Sequence, residues 1–233
     1  IGPTLAQQKT TITFWHAMGA QLGKTIDMLV EQFNNENPDV FVKAEYQGNY
    51  GALSQKLVGS LVARKPPTVA QVYGNWAAEY ITSNELVPIE KFVKGPNGLS
   101  TLEIDDIWEG LRAGCVFDGV WYTMPFNKSV YVLVYNQTAL KEAGIAKPPA
   151  TWQELLTAAR ALTIKDGDKI VRYGLGLRPN VDYFACFFFT AGGTWLDAGG
   201  KVNVNSPEGV KALQYMADLL SKYKVSYYVP GYL

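Results

Sequence analysis

Between Thr11 and Asn75 the apolar residues change their spacing again and again, and this alternation constrains the fold more than any other feature of the chain. Thr11–Trp15 (TITFW) is β-branched and aromatic, which suits a pleated, half-buried strand. His16-Ala17-Met18-Gly19 then turns the chain. Leu22, Ile26, Leu29, Val30 and Phe33 recur at helical spacing, with Lys24, Asp27, Glu31 and Asn34 on the other face. Asn37-Pro38-Asp39 closes that helix, since the residue before a proline is pushed out of the α region. Val40, Val42, Ala44 and Tyr46 alternate with polar or outward residues and predict a second strand. Gly48-Asn49-Tyr50-Gly51 breaks it, and Leu53, Leu57, Val58, Leu61 and Val62 predict a second helix. Pro66-Pro67 ends the helix, and Thr68–Tyr73 is a third strand. Successive strand–helix–strand crossovers imply a parallel sheet covered by helices. Ligands of such sheets bind at the carboxyl ends of the strands. Trp15-His16, Gly48-Asn49-Tyr50 and Gly74-Asn75-Trp76 are therefore expected along one edge.

The remaining residues predict a helix over Ser100–Arg112 and a hairpin at Asp118-Gly119, a strong short-range turn signal. Val130–Asn136 is a nearly continuous apolar run, read as a strand covered on both faces. Thr151-Trp152-Gln153-Glu154 is a capping box that starts a helix. Lys165–Lys169 reads as a polar turn, Ile170–Leu177 as a strand and Asp182–Thr190, rich in phenylalanine, as a buried helix. Ser206-Pro207-Glu208 starts a last helix running to Tyr223, after which no further element is legible. The expected class is α/β, in two lobes with mainly parallel sheets: an N-terminal lobe over residues 1–125 and a second over 126–233.

Lys plus Arg and Asp plus Glu are 21 each, so no net field draws the chain to nucleic acid or an anionic membrane. Apolar runs such as Val130–Tyr135 are too short to span a bilayer. Cys115 and Cys186 show no metal-ligand spacing, and the sequence leaves open two free thiols or one disulfide of an exported protein. Thr4-Leu5-Ala6-Gln7-Gln8 reads as the tail of a secretory signal, although a merely polar N-terminus accounts for the same residues.

The search for catalytic patterns is negative. A single histidine, His16, rules out an HExxH zinc site, and there is no GxSxG, GxxxxGK[ST] or GxGxxG run. Asp166-Gly167-Asp168 lacks the later ligands of a calcium loop. No cofactor and no metal is expected. What remains are aromatic and amide residues in the turns: Trp15, Asn49, Tyr50, Tyr73, Asn75, Trp76, Asn127 and Ser129. Rings stack on C–H faces while amides meet hydroxyls, which suits a small polar ligand. Core packing accounts equally well for Tyr73 and Trp76.

Phe14–Met18 (FWHAM), Glu31–Asp39, Tyr46–Tyr50 (YQGNY), Gln71-Val72-Tyr73, Pro125-Phe126-Asn127, Val134-Tyr135-Asn136 and Pro148–Glu154 occur in order over essentially the whole chain. With them the chain resembles the extracellular solute-binding proteins of ABC importers, in the carbohydrate-uptake group and nearest to its glycerol-3-phosphate binders. The resemblance implies two lobes closing on a solute, export to the periplasm or cell exterior, no catalysis, docking on membrane permease subunits, and a monomer when full length. It implies a ligand contact from Tyr50, and places Lys128 and Ser129 where ligand-facing serines are expected. The full set of candidates is Trp15, His16, Asn49, Tyr50, Gly74, Asn75, Trp76, Asn127, Lys128 and Ser129. Two departures stand out. Gly74 occupies the place of a ligand-contacting glutamate, and no tryptophan stands near Leu177-Arg178. The resemblance therefore implies glycerol 3-phosphate, a glycerophosphodiester or a sugar, and an N-terminal fragment of a longer chain. The rival reading is an exported hydrolase of glycans or phosphodiesters working with paired carboxylates.

Overall fold

The computed structural model describes residues 9–178 and 180–229. The export signal read at Thr4–Gln8 lies outside them. Contacts group the chain into two compact units, Ile1–Ser129 and Val130–Leu233, so Phe126–Ser129 sit with the first.

The first unit is built on β1 (Thr10–His16), α1 (Ala20–Glu36), β2 (Val40–Tyr46), α2 (Tyr50–Val62), β3 (Val69–Ala70) and α3 (Gly74–Thr82). The three strands form one parallel sheet in the order β2-β1-β3. Thr10 pairs with Val40 and His16 with Tyr46, while Phe14 and Trp15 pair with Val69 and Ala70. All three strands thus end at one edge, and the ladder continues past it: Gln47 N–H donates to the His16 carbonyl and Gln71 N–H to that of Trp15, each at 2.9 Å. Side chains close what the backbone leaves open. The Asn34 amide on α1 both donates to and accepts from the backbone of Val42, and Thr13 and Thr68 exchange backbone and hydroxyl hydrogen bonds where β3 begins. The core under this edge is Leu53, Leu57 and Tyr80, with Trp15, Ala70, Val72 and Trp76 packed against it. Burying Leu53 and Leu57 contributes about 1.5–3 kcal/mol each.

The rest of the first unit is α4 (Glu90–Val93), α5 (Thr101–Asp106), α6 (Glu109–Ala113) and the hairpin β4 (Val116–Phe117) with β5 (Val120–Trp121). Asp118 and Gly119 both take positive φ, 49° and 80°, as the turn signal requires. The single helix expected over Ser100–Arg112 is broken. Ile107 and Trp108 are extended, α6 restarts on the Trp108 carbonyl, and the Trp108 ring is exposed. Asp105, Asp106 and Gly110 are weak helix-interior residues, so little resists the break.

The second unit holds α7 (Gln137–Glu142), α8 (Trp152–Leu162), β6 (Ile164–Asp166), β7 (Lys169–Arg172), β8 (Leu175–Leu177), α9 (Val181–Thr190), α10 (Pro207–Ser221) and β9 (Ser226–Tyr228). Its core gathers Leu156, Leu177, Phe187, Phe188, Met216 and Leu219. The capping box at Thr151 and Glu154 forms as read, as does the Ser206 cap with Pro207 in the first turn. Three expectations are corrected. Ile170–Leu177 is two strands, because Gly174 N–H bonds to the Thr163 hydroxyl and any Cβ at Gly174 would collide with the Ala159 backbone. Lys165–Lys169 is a hairpin, β6 pairing with β7, rather than a plain turn. Val130–Asn136 forms no strand: no described strand pairs with it, and Val130, Val132 and Val134 are exposed. Apolar composition favours burial but cannot supply a hydrogen-bonding neighbour. An element is also present where none was legible, since β9 pairs in parallel with β8.

Candidate functional site

The carboxyl edge of the first unit's sheet collects three turns, 16–19, 47–49 and 71–73. Gln71, on the last of them, is its hub and is only 5% exposed. Its Oε1 accepts from Ala17 N–H at 2.9 Å; its Nε2 donates to Asn127 Oδ1 at 2.7 Å and to the Tyr50 hydroxyl oxygen at 2.9 Å. Asn127 Nδ2 donates to the same Tyr50 oxygen at 2.9 Å and lies 3.6 Å from Met18 Sδ. A buried amide needs such partners, and here both side-chain N–H groups of Gln71 and its side-chain oxygen have one. Gln71 is the residue that candidate selection by residue type missed. Its motif, Gln71-Val72-Tyr73, was visible, but nothing in a lone glutamine distinguishes a hub from a surface amide.

Tyr50 opens α2, whose N-terminus is capped by Asn49 Oδ1 accepting from Ala52 N–H at 3.0 Å. Gly48, at φ 96°, makes the turn that puts this cap in place. The Tyr50 ring stacks on Tyr73 and meets Trp76 edge-on at 6.3 Å, while Tyr73 and Trp76 lie 5.1 Å apart at 82°. Tyr73 is 47% exposed, so this aromatic face is partly open to solvent, whereas Trp76 also packs on the core.

Gly74 is the first residue of α3, whose N-terminus carries no side-chain cap. A Cβ on Gly74 would find only the Gly114 carbonyl oxygen, at 4.0 Å, and Lys128 Nζ lies 3.6 Å from the corresponding position on Gly114. Uncapped amides and an ammonium group on one stretch of surface favour an anionic or oxygen-rich solute. Asn75 and Ser129 are exposed and join none of these networks.

Trp15 and His16 support the edge from beneath. The Trp15 indole donates to Glu45 at 2.8 Å, and Glu45 also pairs with Lys43 at 2.7 Å. The Lys43 contact, with that of Trp15, holds the Glu45 carboxyl below its usual range. His16 is 3% exposed, and its Nδ1 accepts from Met18 N–H at 3.3 Å. Burial lowers its pKa, against smaller opposing contributions from Asp27 and the Met18 backbone, so the ring is neutral at pH 7 and shapes the 16–18 turn.

Among the described residues no group of acidic, histidine and cysteine side chains is arranged to hold a metal, and both cysteines are free. No helix of the described residues is long and apolar enough to cross a membrane. A hollow of about 220 Å³ in the second unit is lined mainly by apolar side chains, among them Leu133, Leu140, Leu155 and Leu175. None of the candidate residues borders it.

The chain is 29% identical over 235 aligned positions to the sn-glycerol-3-phosphate-binding periplasmic protein UgpB of Yersinia pestis bv. Antiqua, covering 96% of this chain and 52% of that protein. It thus spans about half the length of the curated relatives it matches. A crystal structure of UgpB from Mycobacterium tuberculosis in complex with glycerophosphocholine shares its fold, with a TM-score of 0.78 at 21% identity over 95% of this chain and 57% of that one. An ABC transporter solute-binding protein of Thermotoga lettingae bound with α-D-tagatose superimposes with a TM-score of 0.72 at 28% identity, covering 94% and 56%. These neighbours are binding proteins of the α/β type expected from the strand–helix alternation. Residues 19–231 match the family model described as bacterial extracellular solute-binding protein, and the chain belongs to that family.

Proposed function

We propose that this chain captures a small polar solute at the carboxyl edge of its first parallel sheet, as part of a binding protein that delivers the solute to the permease of an ABC importer outside the cytoplasmic membrane. One observation carries the reading. The Tyr50 hydroxyl is fixed by two amides at the mouth of the strand-to-helix turns, next to a partly open aromatic face of Tyr50, Tyr73 and Trp76. Rings for C–H faces beside polar groups for oxygens are what a glycerol phosphate derivative or a sugar needs.

Asn127 and Tyr50 are the direct polar contacts in this reading, with Tyr73 and Trp76 as the stacking surface. Lys128 and the amides at Gly74 and Asn75 supply positive character for a phosphate, and Ser129 extends the rim. Trp15, His16 and Asn49 hold the turns in place. The names of the relatives support the same solute classes, since they mention sn-glycerol 3-phosphate, glycerophosphocholine and tagatose. The family and these relatives are binding proteins, and nothing in them supports the hydrolase read as the rival.

The test is a calorimetric series with sn-glycerol 3-phosphate, glycerophosphocholine, tagatose and maltotriose, on the unmodified chain and on Tyr50→Ala. Saturable binding of one of them, weakened by the substitution and accompanied by no turnover, is expected. Hydrolysis of a ligand, or binding indifferent to Tyr50, overturns the assignment.

A further inference from the structure

The hydrogen bonds around Gln71 fix more than positions; they fix directions. Ala17 N–H is a backbone group and can only donate, so the atom of Gln71 facing it, at 2.9 Å, is the amide oxygen. The Gln71 amide nitrogen then faces the other way, with two N–H groups to give. One goes to Asn127 at 2.7 Å, which must answer with its oxygen, and the other to the Tyr50 oxygen at 2.9 Å. With its oxygen committed, Asn127 turns its nitrogen toward Tyr50 at 2.9 Å and toward Met18 Sδ at 3.6 Å. Neither Gln71 nor Asn127 can flip its amide without setting oxygen against oxygen or N–H against N–H. The Tyr50 oxygen therefore accepts two hydrogen bonds, which uses both of its lone pairs. Its own proton has nowhere to go among these partners and is left for a group outside the network.

We propose that Gln71 is a positioning residue that sets the polarity of the Tyr50 hydroxyl, so that Tyr50 meets the solute as a donor and selects a hydrogen-bond acceptor there. The proposal rests on the reading of Tyr50 as a solute contact. The group recognised is an oxygen with a free lone pair: a phosphate oxygen, or a sugar hydroxyl or ether oxygen. A ligand offering only a donor, such as an ammonium group, is refused at this position, because the tyrosine oxygen has no lone pair left to receive it. The polarity signal starts at a main-chain amide of the 16–19 turn, passes through a buried side chain and reaches the surface at Tyr50. It is therefore built into the edge of the sheet and does not depend on any solute to be established.

Gln71→Glu tests this with nearly the same shape. A carboxylate at position 71 can still accept from Ala17, but its second oxygen also accepts and so draws the Tyr50 proton inward. Affinity is measured by calorimetry for sn-glycerol 3-phosphate and for uncharged tagatose, in the natural background and in Tyr50→Phe. The expected result is a loss of about tenfold or more for the better-binding probe, the scale of one hydrogen bond to solute, which shrinks to less than about twofold once the Tyr50 hydroxyl is absent. An equal loss in both backgrounds would mean that residue 71 acts by its charge or through packing, and would overturn the proposal. If Tyr50→Phe and Tyr50→Ala leave affinity unchanged, the solute-contact reading fails instead. Neutron diffraction from deuterium-exchanged crystals of the unmodified chain decides the polarity itself, whatever the variants do. Deuterons on the Gln71 and Asn127 nitrogens should point at the Tyr50 oxygen, with the Tyr50 deuteron pointing at neither; a deuteron on the line from Tyr50 to either amide overturns the assignment.

Discussion

The rings of Tyr50 and Tyr73 lie face to face, with centroids 4.5 Å apart and planes 29° from parallel. One ring comes from the first residue of α2 and the other from the N-cap of α3. The stack therefore ties together two of the three turns at the sheet edge. Tyr73→Ala removes an exposed ring and half of the stack while leaving the Gln71 network in place. A loss of about 1–3 kcal/mol in solute binding is expected for Tyr50→Ala, which removes hydroxyl and ring together. For Tyr73→Ala about 0.5–1.5 kcal/mol is expected, the range for an aromatic pair. Calorimetry with the best-binding solute of the series measures both. A Tyr73→Ala variant as damaged as Tyr50→Ala would show that the hydroxyl adds nothing to the ring.

How much of this was legible follows from the range of the interactions. The strand–helix alternation from Thr11 to Asn75 depends on local spacing, so β1, α1, β2 and α2 were readable, and with them the edge where the candidate residues gather. The place of Asn49 and Tyr50 in the turn that opens α2 was legible because they sit beside a turn glycine. Gln71 was not, since its partners Ala17 and Asn127 lie 54 and 56 residues away along the chain. Val130–Asn136 was misread for the same reason: a strand is a relation between two segments, and its composition speaks for only one of them. Gly174 broke the strand over Ile170–Leu177 through a contact with α8, which no period within the segment could announce.

His16 gives the first unit a dependence on pH whose sign follows from its burial. Its pKa is lowered in the folded chain relative to 6.5, so below that value the unfolded chain takes up the proton first. The stabilising contribution is therefore present above pH 6.5 and is lost as pH falls through the unfolded and then the folded pKa. Protonation also removes the acceptor that Nδ1 offers to Met18 N–H. Urea unfolding of the natural chain and of His16→Gln, compared between about pH 7.5 and pH 5.5, should show a smaller acid loss in the variant. Carboxylates titrate in both proteins and cancel in the comparison. An identical acid loss would show that His16 is not the sensor.

Phe188 is fully buried in the second unit's core, with its ring near those of Phe184 and Trp195 at 5.3 and 5.2 Å. Phe188→Ala should cost about 3–5 kcal/mol in the unfolding of that unit, through lost burial and the cavity left behind. Hydrogen exchange can assign the loss to its segments. A change spread evenly over α1 and α2 of the first unit would contradict the division into two units.

Gly74 concerns which solute is chosen. The glutamate implied there by the family resemblance is missing, and with it both a charge and the volume of a side chain. The backbone at Gly74 makes no demand for glycine: its φ is not positive, and a Cβ would meet nothing nearer than the Gly114 carbonyl oxygen at 4.0 Å. An acidic residue in the first turn of the uncapped α3 would in fact be favoured by about 0.3–1 kcal/mol through the helix dipole. The glycine is therefore not explained by stability, and its effect should appear in binding. The unmodified chain is expected to prefer a solute bulkier than sn-glycerol 3-phosphate, glycerophosphocholine or a sugar, in one competition series. Gly74→Glu should melt no lower than the unmodified chain and should move the preference toward sn-glycerol 3-phosphate by about tenfold, the scale of one hydrogen bond between a carboxylate and a solute hydroxyl. Tighter binding of sn-glycerol 3-phosphate than of every diester and sugar by the unmodified chain would show that the space at Gly74 does not set the choice.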